Sequence, residues 1–330
     1  MKLGHLGEFA LIESIRRHTP IGKGVKIGIG DDAAWISHPK GSSLVTTDLL
    51  IEGVHFDLRW TSLFDLGHKA LAVNLSDIAA MGGVPAYVIA AIGIPVSFDS
   101  KQISAFYAGL RRLALRSAVA LVGGDTNAAE KFIVSICVIG NAPYQPIQRS
   151  GARPGDDIYV TGTVGDSALA LKFLQGQTMI PKGGALSRLL ARHRRPMPRL
   201  TIGALLAKER LASAMIDVSD GLLQDLGHVC ESSATGAVIW WEHLPLSSAY
   251  RALAEEGEVC TALTGGEDYE LLFCARPQSR GRIKQLSQRT RLAITRIGTC
   301  SRDRGVISVI DESGRALPIR ALGYDHFSSR

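Results

Sequence analysis

Short acidic segments recur along the chain, each beside glycine, serine or threonine. They read "GIGDD", "TTDLL", "NLSD", "GGDT", "DVSDG" and "GGED". Their carboxylates belong to Asp31, Asp32, Asp48, Asp77, Asp125, Asp217, Asp220, Glu267 and Asp268. Taken singly, each is typical of a turn or a helix cap. Two adjacent aspartates on one turn repel each other, however, and a plain turn needs only one of them.

In α/β folds the loops at the carboxyl ends of strands meet at one crevice, so we expect these carboxylates to lie together. At an effective dielectric constant of about 20, two unit charges about 4 Å apart repel by roughly 4 kcal/mol. Such a cluster requires a cation, and Asp oxygens beside Thr hydroxyls favour Mg²⁺ over zinc. Magnesium usually binds phosphates, and Gly28, Gly30, Gly123 and Gly124 would let backbone amides approach them.

The familiar nucleotide-site motifs are absent from the sequence. It has no GxxxxGKS/T loop and no GxGxxG opening a helix in a βαβ unit, and it also lacks the HExxH segment that would indicate zinc hydrolysis. The HRD and DFG motifs of protein kinases are also missing. The residues therefore predict a Mg²⁺-dependent, nucleotide-using enzyme, and they leave its reaction open.

Length and composition indicate the general class of protein to which the chain belongs. The 330 residues predict two domains, and 46% hydrophobic with 21% charged residues is typical of a soluble globular chain. The longest apolar run, residues 86–96, is too short to span a bilayer, and the N-terminal segment does not resemble a signal peptide. Five cysteines without a CxxC pair indicate reduced thiols and a cytoplasmic location.

The net charge of +6 permits either nucleic acid or small anionic substrates as partners. The densest basic run is "RHRRPMPR", residues 192–199, which is broken by proline and has no interleaved aromatic residues. We interpret it as a solvated linker rather than a nucleic-acid surface. We accordingly expect neither nucleic acid nor a membrane as a partner.

Strand-like and helix-like segments alternate through the first half, which predicts an α/β domain. Ser100 is the predicted N-cap of one helix, and Gly123 and Gly124 are predicted to form a turn. The predicted strands cover residues 42–50, 86–95, 119–127 and 131–140, and the helices cover 64–82 and 100–118. A Pro- and Gly-rich stretch then predicts a boundary near residue 148, giving domains 1–148 and 149–330. The second domain is also predicted to be α/β.

Eight segments resemble the thiamine-monophosphate kinases of the aminoimidazole-ribonucleotide-synthetase-like ATP-binding superfamily. They are "GIGDDAA", "TTDLLIEGVHF", "KALAVNLSDIAAMGGVP", "LVGGDT", "RSGARPGDDIYVTGTVGDSALAL", "IDVSDGLLQDLGH", "TGGEDYELLF" and "GYDHF". The resemblance runs in the same order from about Gly7 to Phe327. It implies a two-domain fold of α/β (α+β) type and a homodimer in which N-terminal domains pair their sheets into a β-barrel. The C-terminal α/β domain would complete the ATP and substrate site.

The implied reaction transfers the γ-phosphoryl group of ATP to thiamine monophosphate, giving thiamine diphosphate and ADP, the last step of thiamine diphosphate biosynthesis. The nucleophile is a phosphate oxygen. Because a phosphate monoester loses its second proton near pH 6, no general base is needed. Several Mg²⁺ ions would offset the repulsion between the two polyanions and align them.

The resemblance also assigns residues. Those implied to bind magnesium are Asp32, Thr46, Thr47, Asp48, Asp77, Asp125, Asp217 and Asp220. The residues that would act in catalysis through the metal ions are Asp32, Asp48, Asp77, Asp125 and Asp217. Those implied to contact ATP are Tyr107, Gly124, Asp125, Arg149 and Ser219. His55 and Glu267 would contact the substrate, as would position 321, where relatives often carry an aromatic residue and this chain has Ala321.

Simpler interpretations remain open at this stage. His55 could be a packed histidine, Arg149 an ordinary linker charge, and Glu267 a turn residue paired with a nearby base. Another ATP-dependent synthetase of the superfamily is an alternative, although the chain lacks the N-terminal cysteine of selenophosphate-forming enzymes and the C-terminal cysteine of hydrogenase-maturation relatives. A non-catalytic basic RNA-binding protein is a second alternative, which the acidic segments disfavour.

Overall fold

The computed structural model describes residues 24–39, 41–176, 184–254, 259–319 and 323–324, with five single positions between 10 and 17. Its N-terminal unit contains one six-stranded sheet in the order β1-β2-β3-β6-β4-β5. The elements of this unit are β1 (Val25–Ile27), β2 (Ala34–His38), β3 (Gly41–Ile51), α1 (Leu63–Ala80), β4 (Val84–Ile94), α2 (Ser100–Arg116), β5 (Ala120–Ala128) and β6 (Ile133–Asn141).

The C-terminal unit contains a second six-stranded sheet, in the order β12-β9-β11-β7-β10-β8. Its strands are β7 (Asp157–Thr161), β8 (Ala214–Asp217), β9 (Gly236–Trp240), β10 (Leu271–Ala275), β11 (Ile294–Ser301) and β12 (Ile307–Ile310). Its helices are α3 (Asp166–Leu174), α4 (Gly184–Arg194), α5 (Leu200–Lys208), α6 (Leu222–Ser233), α7 (Ser248–Leu253), α8 (Val259–Thr264) and α9 (Arg280–Thr290).

The predicted mixture of helices and strands is confirmed. Among the described strands, β4 with β5 and β9 with β12 pair in parallel, and the other pairs of both sheets are antiparallel. In β6 buried and half-buried residues alternate along most of the strand. This alternation is typical of an antiparallel strand with one covered face, whereas central parallel strands are usually buried on both faces.

Two local predictions also need correction. Asp99, not Ser100, is the N-cap of α2, because its carboxylate accepts from the Gln102 amide while the Gln102 side chain accepts from the Asp99 amide. Gly124 lies inside β5 rather than in a turn. A Cβ there would lie 1.9 Å from the Ala90 carbonyl oxygen, so this glycine is needed for close packing against β4.

Helix α1 lies between the two units and is buried on nearly all sides. It packs on β3 and β6 of its own sheet and on α5 and β8 of the C-terminal unit. The connecting segment bonds to both units, since the Ile147 amide donates to the Met81 carbonyl and the Met215 amide donates to the Gln148 carbonyl. The predicted boundary near residue 148 falls in this segment and stays a prediction. None of the helices in the described ranges has the length and apolar character needed to cross a membrane.

Helices α1 and α2 approach each other closely at two glycines. A Cβ on Gly109 would lie 1.8 Å from the Phe64 carbonyl oxygen, and one on Gly67 would lie 1.9 Å from that of Phe106. We expect Gly109→Ala to lower the free energy of unfolding by about 1–3 kcal/mol or more, because the helices must separate. Urea denaturation measures this change.

Gly281→Ala is the matched control, because Gly281 lies in α9 and a Cβ there meets nothing within 4 Å. Alanine is the better helix former, so this variant should keep or slightly raise stability. Equal stability changes in the two variants would contradict the close approach of α1 and α2.

Candidate active site

Three carboxylates from separate elements converge where the two units meet. Asp32 lies between β1 and β2, Asp77 lies in the last turn of α1, and Asp217 is the last residue of β8. One oxygen of each lies within 4.8 Å of the other two. The N-terminal unit thus supplies two of the three carboxylates and the C-terminal unit supplies the third.

Each of these carboxylates has a partner that fixes its orientation. The Thr46 hydroxyl donates to Asp77 Oδ2 at 2.5 Å, and the Ser76 hydroxyl donates to Asp217 Oδ2 at 2.5 Å. The Arg149 guanidinium pairs with Asp32, with 3.0 Å between Nη2 and Oδ1. One guanidinium therefore faces a group of three acidic side chains.

The electrostatics of the cluster reflect this imbalance. Burial, with added repulsion from Asp32, raises the pKa of Asp217 to about 8. Burial and the charge of Asp48 raise the pKa of Asp77 well above its usual range. Burial and the charge of Asp220 raise the pKa of Asp48 to about 6. The site is short of positive charge, and its oxygen-only donors fit a hard divalent cation.

Asp31 lies beside the cluster. Its Oδ1 accepts from the Asp32 amide and its Oδ2 accepts from the Arg149 amide, at 3.0 and 3.2 Å. Burial and the neighbouring Asp32 charge raise the pKa of Asp31 to about 7. The paired aspartates of "GIGDD" thus divide their roles: Asp31 bonds to backbone amides and Asp32 joins the cluster.

The loop after β8 brings Ser219 and Asp220 to the same region. The amides of Ser219, Asp220 and Gly221 all donate to Asp225 Oδ2 of α6, at 3.0, 3.2 and 3.1 Å. This buried carboxylate therefore shapes the loop. The charge of Asp220, in the C-terminal unit, contributes to the raised pKa of Asp48 in the N-terminal unit.

Several other residues that were predicted to bind metal or ATP are not part of the three-carboxylate cluster within one chain. Thr47, next to Asp48 in β3, donates its hydroxyl to the Ile136 carbonyl at 2.9 Å. Asp125 accepts from the Thr126 amide and from the Asn127 side chain, at 2.9 and 2.8 Å. Its strand β5 is separated from β3 by β6 and β4, a distance of about 14 Å. Asp125 and its neighbour Gly124 are therefore not brought to the three-carboxylate cluster.

Three further predictions concern Tyr107, His55 and Ala321. Tyr107 packs edge-to-face on Phe106 in the N-terminal core. The Ile51 amide donates to Nδ1 of His55 at 3.0 Å, which holds the ring beside the end of β3. Ala321 lies outside the described residues. Roles for these three positions remain predictions.

Glu267 is paired with a base, as the simpler interpretation allowed. Its Oε1 is 2.6 Å from the Lys69 ammonium, and its Oε2 is 3.2 Å from Nδ1 of His193. Burial favours a higher pKa for Glu267, but Lys69 and His193 outweigh it and hold the pKa well below its usual range. A contact with substrate would use a carboxylate that stays charged.

The interpretation of residues 192–199 as a solvated linker is wrong. Arg192 and Arg199 both pair with Glu270, whose side chain is fully buried. The Thr161 hydroxyl donates to the same carboxylate at 2.7 Å. A buried carboxylate needs such partners, and the basic run supplies them. Sequence alone does not distinguish a solvated charge run from one that pairs with a buried acid.

Helix α1 also contributes buried polar residues besides Asp77 that were not predicted from the sequence. Lys69, Asn74 and Ser76 are all buried in this helix. Asn74 Oδ1 accepts from the Asp48 amide at 3.1 Å, and Ser76 bonds to Asp217. Their presence in an otherwise apolar helix was the available signal, because buried polar groups require partners.

Comparison with known proteins agrees with this architecture. The family model for the AIR synthase related protein N-terminal domain matches residues 30–142, and the model for the C-terminal domain matches residues 153–311. The chain is thus an AIR synthase related protein with the two domains of that family.

Comparison with full-length relatives identifies the family within the AIR synthase related proteins to which the chain belongs. The chain is 38% identical to the thiamine-monophosphate kinase of Salmonella typhimurium, over 98% of this chain and 99% of the relative. It is 36% identical to that of Bacillus subtilis, over 98% and 100%. A solved structure described as AaThiL complexed with AMPPCP and TMP superposes with a TM-score of 0.85 at 32% identity, covering 99% of both chains. The chain belongs to the thiamine-monophosphate kinase family.

The crowded carboxylates predict a specific pH dependence. The pKa of Asp217 is about 8 in the folded protein, against an ordinary value of 3.8. Folding therefore favours the protonated form, and this contribution to stability is present below about pH 4 and lost as the pH rises through 8. Between about pH 6.5 and 8.5, with EDTA present, we expect the Tm to fall as the pH rises.

Asp217→Asn should flatten this fall, because the amide carries no charge at any of these pH values. The exposed Asp303→Asn is the control and should keep the wild-type slope. Thermal unfolding across the pH range measures both. Parallel curves for wild type and Asp217→Asn would contradict the assignment.

Proposed function

We propose that the chain transfers the γ-phosphoryl group of ATP to the phosphate of thiamine monophosphate, releasing ADP and thiamine diphosphate. The convergence of Asp32, Asp77 and Asp217 from both units carries the proposal. Membership of the thiamine-monophosphate kinase family supports it, as does the likeness to a structure described with AMPPCP, an ATP analogue, and TMP.

The chemistry requires little proton transfer from the protein. The acceptor phosphate is already largely a dianion at neutral pH, so no general base is assigned. The main obstacle is repulsion between the acceptor and the triphosphate. Magnesium ions, when bound, supply the charge that offsets this repulsion. We assign Asp32, Asp77 and Asp217 as their principal ligands, with Asp48 and Asp220 beside them.

The neighbouring side chains have separate tasks in this proposal. Thr46 and Ser76 orient the carboxylates of Asp77 and Asp217 through their hydrogen bonds. Arg149 pairs with Asp32 and presents a guanidinium that can bind a phosphate oxygen of ATP. The side chains of this protein thus mainly position the metal-binding carboxylates and the phosphates and offset their negative charges, as expected for phosphoryl transfer.

The test of function is direct. The purified protein, incubated with Mg-ATP and thiamine monophosphate, should form thiamine diphosphate in step with ADP, and EDTA should abolish the reaction. Asp77→Asn should lower kcat by about a hundredfold to a thousandfold, because the amide is a poorer metal ligand. Chromatographic separation of thiamine phosphates measures the product.

Glu312→Gln, an exposed substitution in the C-terminal unit, is the control and should retain wild-type turnover. ATP binding without thiamine diphosphate formation would point to another ATP-dependent enzyme of the superfamily. Salt-dependent retention of RNA without ATP turnover would instead support the RNA-binding alternative.

We also propose that the chain is a homodimer that pairs the uncovered faces of its N-terminal sheets. The apolar side chains of Leu49, Tyr87, Ile89 and Val122 are exposed on β3, β4 and β5. Contiguous apolar exposure of this kind marks an interaction surface. Asp125 pairs in register with Ala91 of β4, two residues after Ile89, so this predicted ATP contact would lie at the proposed interface.

A charge on this face should separate the subunits. Ile89 is 39% exposed, and Ile89→Glu would bury an unpaired carboxylate in the dimer. We expect sedimentation to show a dimer for wild type and a monomer for Ile89→Glu. Leu115→Glu is the control, because Leu115 is 82% exposed on α2 and should leave the dimer intact. A monomeric wild type would contradict the proposal.

A further inference from the structure

A buried lysine of the N-terminal unit contacts an acidic loop of the C-terminal unit. Lys69 lies on α1, its side chain is only 3% exposed, and its ammonium is 2.6 Å from the Glu267 carboxylate. Burying an ammonium is costly unless it is paired and hydrogen-bonded. The phosphoryl-transfer chemistry described above makes no use of this lysine, so its burial needs another explanation.

The loop that carries Glu267 packs tightly against the loop that carries Asp220. The Glu267 amide donates to the Ser219 carbonyl at 2.7 Å, and the Tyr269 amide donates to the Val218 carbonyl at 2.8 Å. Glu267 and Tyr269 have φ values of +67° and +50°, a left-handed conformation that is unfavourable for residues with side chains. Surrounding contacts must hold such a conformation in place.

Those contacts come from both ends of the loop. At one end, Lys69 and His193 bind the two oxygens of Glu267. Burial lowers the pKa of His193, so at neutral pH Lys69 supplies the positive charge opposite Glu267. At the other end, Arg192 and Arg199 hold Glu270.

The Glu267 side chain is 26% exposed, although its partner Lys69 is almost completely covered. A partly exposed acidic side chain that a buried lysine holds in place suits a cationic or hydrogen-bond-donating ligand. Thiamine monophosphate offers both, in its thiazolium ring and its aminopyrimidine.

We propose that Lys69 is a positioning residue, which holds the Glu267 carboxylate in place for the thiamine part of the acceptor. The inference rests on the proposed kinase function. Lys69 precedes Asp77 by eight residues in α1, a rise of about 12 Å. One rigid helix therefore relates the acceptor contact to the carboxylate cluster.

Steady-state kinetics with each substrate varied separately tests this role. Lys69→Met removes the charge and leaves an unbranched side chain that is one heavy atom shorter. We expect it to raise the KM for thiamine monophosphate by about tenfold to a hundredfold, with the KM for Mg-ATP changed by less than about twofold. Lys69→Arg should recover a large part of the loss. Calorimetric binding of thiamine monophosphate without ATP should weaken in parallel.

The double variant separates positioning from direct contact. If Lys69 acts through Glu267, Lys69→Met should add little to the effect of Glu267→Gln on the KM for thiamine monophosphate. Arg280→Met is the control, because it breaks an ion pair with the buried Asp157 in the C-terminal unit. It should lower the Tm while leaving both KM values unchanged.

The outcomes distinguish the two proposals. A wild-type protein that forms no thiamine diphosphate contradicts the proposed function itself. An active wild type in which Lys69→Met and Glu267→Gln have additive effects, or in which Lys69→Met raises both KM values equally, overturns the positioning role alone. The positioning role is also overturned if Lys69→Met only lowers the Tm, as Arg280→Met should.

Discussion

Repulsion between like charges is the constraint on which the rest of this structure depends. Asp32, Asp77 and Asp217 each place one oxygen within 4.8 Å of the other two where the two units meet, and Arg149 pairs with Asp32. The fold holds this arrangement through hydrophobic burial around it and through hydroxyl donors from Thr46 and Ser76. A site that remains electrostatically unfavourable in the protein alone is well suited to a bound cation and the phosphates it brings.

Helix α1 organises this arrangement, because it contacts both units and carries polar groups toward each. Asp77 bonds to Thr46 of the N-terminal sheet, while Ser76 bonds to Asp217 of the C-terminal sheet. Asn74 accepts from the Asp48 amide, and Lys69 pairs with Glu267. A rigid helix with a partner for each of these polar side chains fixes the relative positions of groups that are far apart in sequence.

Pattern and composition predicted four of the six described strands of the N-terminal unit and its helices α1 and α2, since the strand at residues 42–50 and the helix at 64–82 have strong local signals, but they missed β1 and β2. The carboxylate cluster was also predicted, but for an incomplete reason. Loops at the carboxyl ends of strands were expected to gather the acids, whereas Asp48 lies within a strand and Asp77 lies in a helix. The role of residues 192–199 was missed because their partner, Glu270, lies about 70 positions away, and no local pattern encodes that pairing.

The acidic segments differ in whether a basic side chain balances the charge of their carboxylate, and the sequence does not show this difference. Glu267 of "GGED" has Lys69 and His193 as partners, and its pKa is held below the usual range. Asp217 of "DVSDG" has only a hydroxyl as its hydrogen-bonded partner among the described side chains and has a raised pKa. The first kind of carboxylate is already satisfied by the protein and serves to hold shape and present a fixed charge. The second kind has no ion pair among the described residues, and it is the kind that we propose binds the cation. Because both kinds occur in similar short acidic segments, only the three-dimensional partners reveal which acid is left without an ion pair.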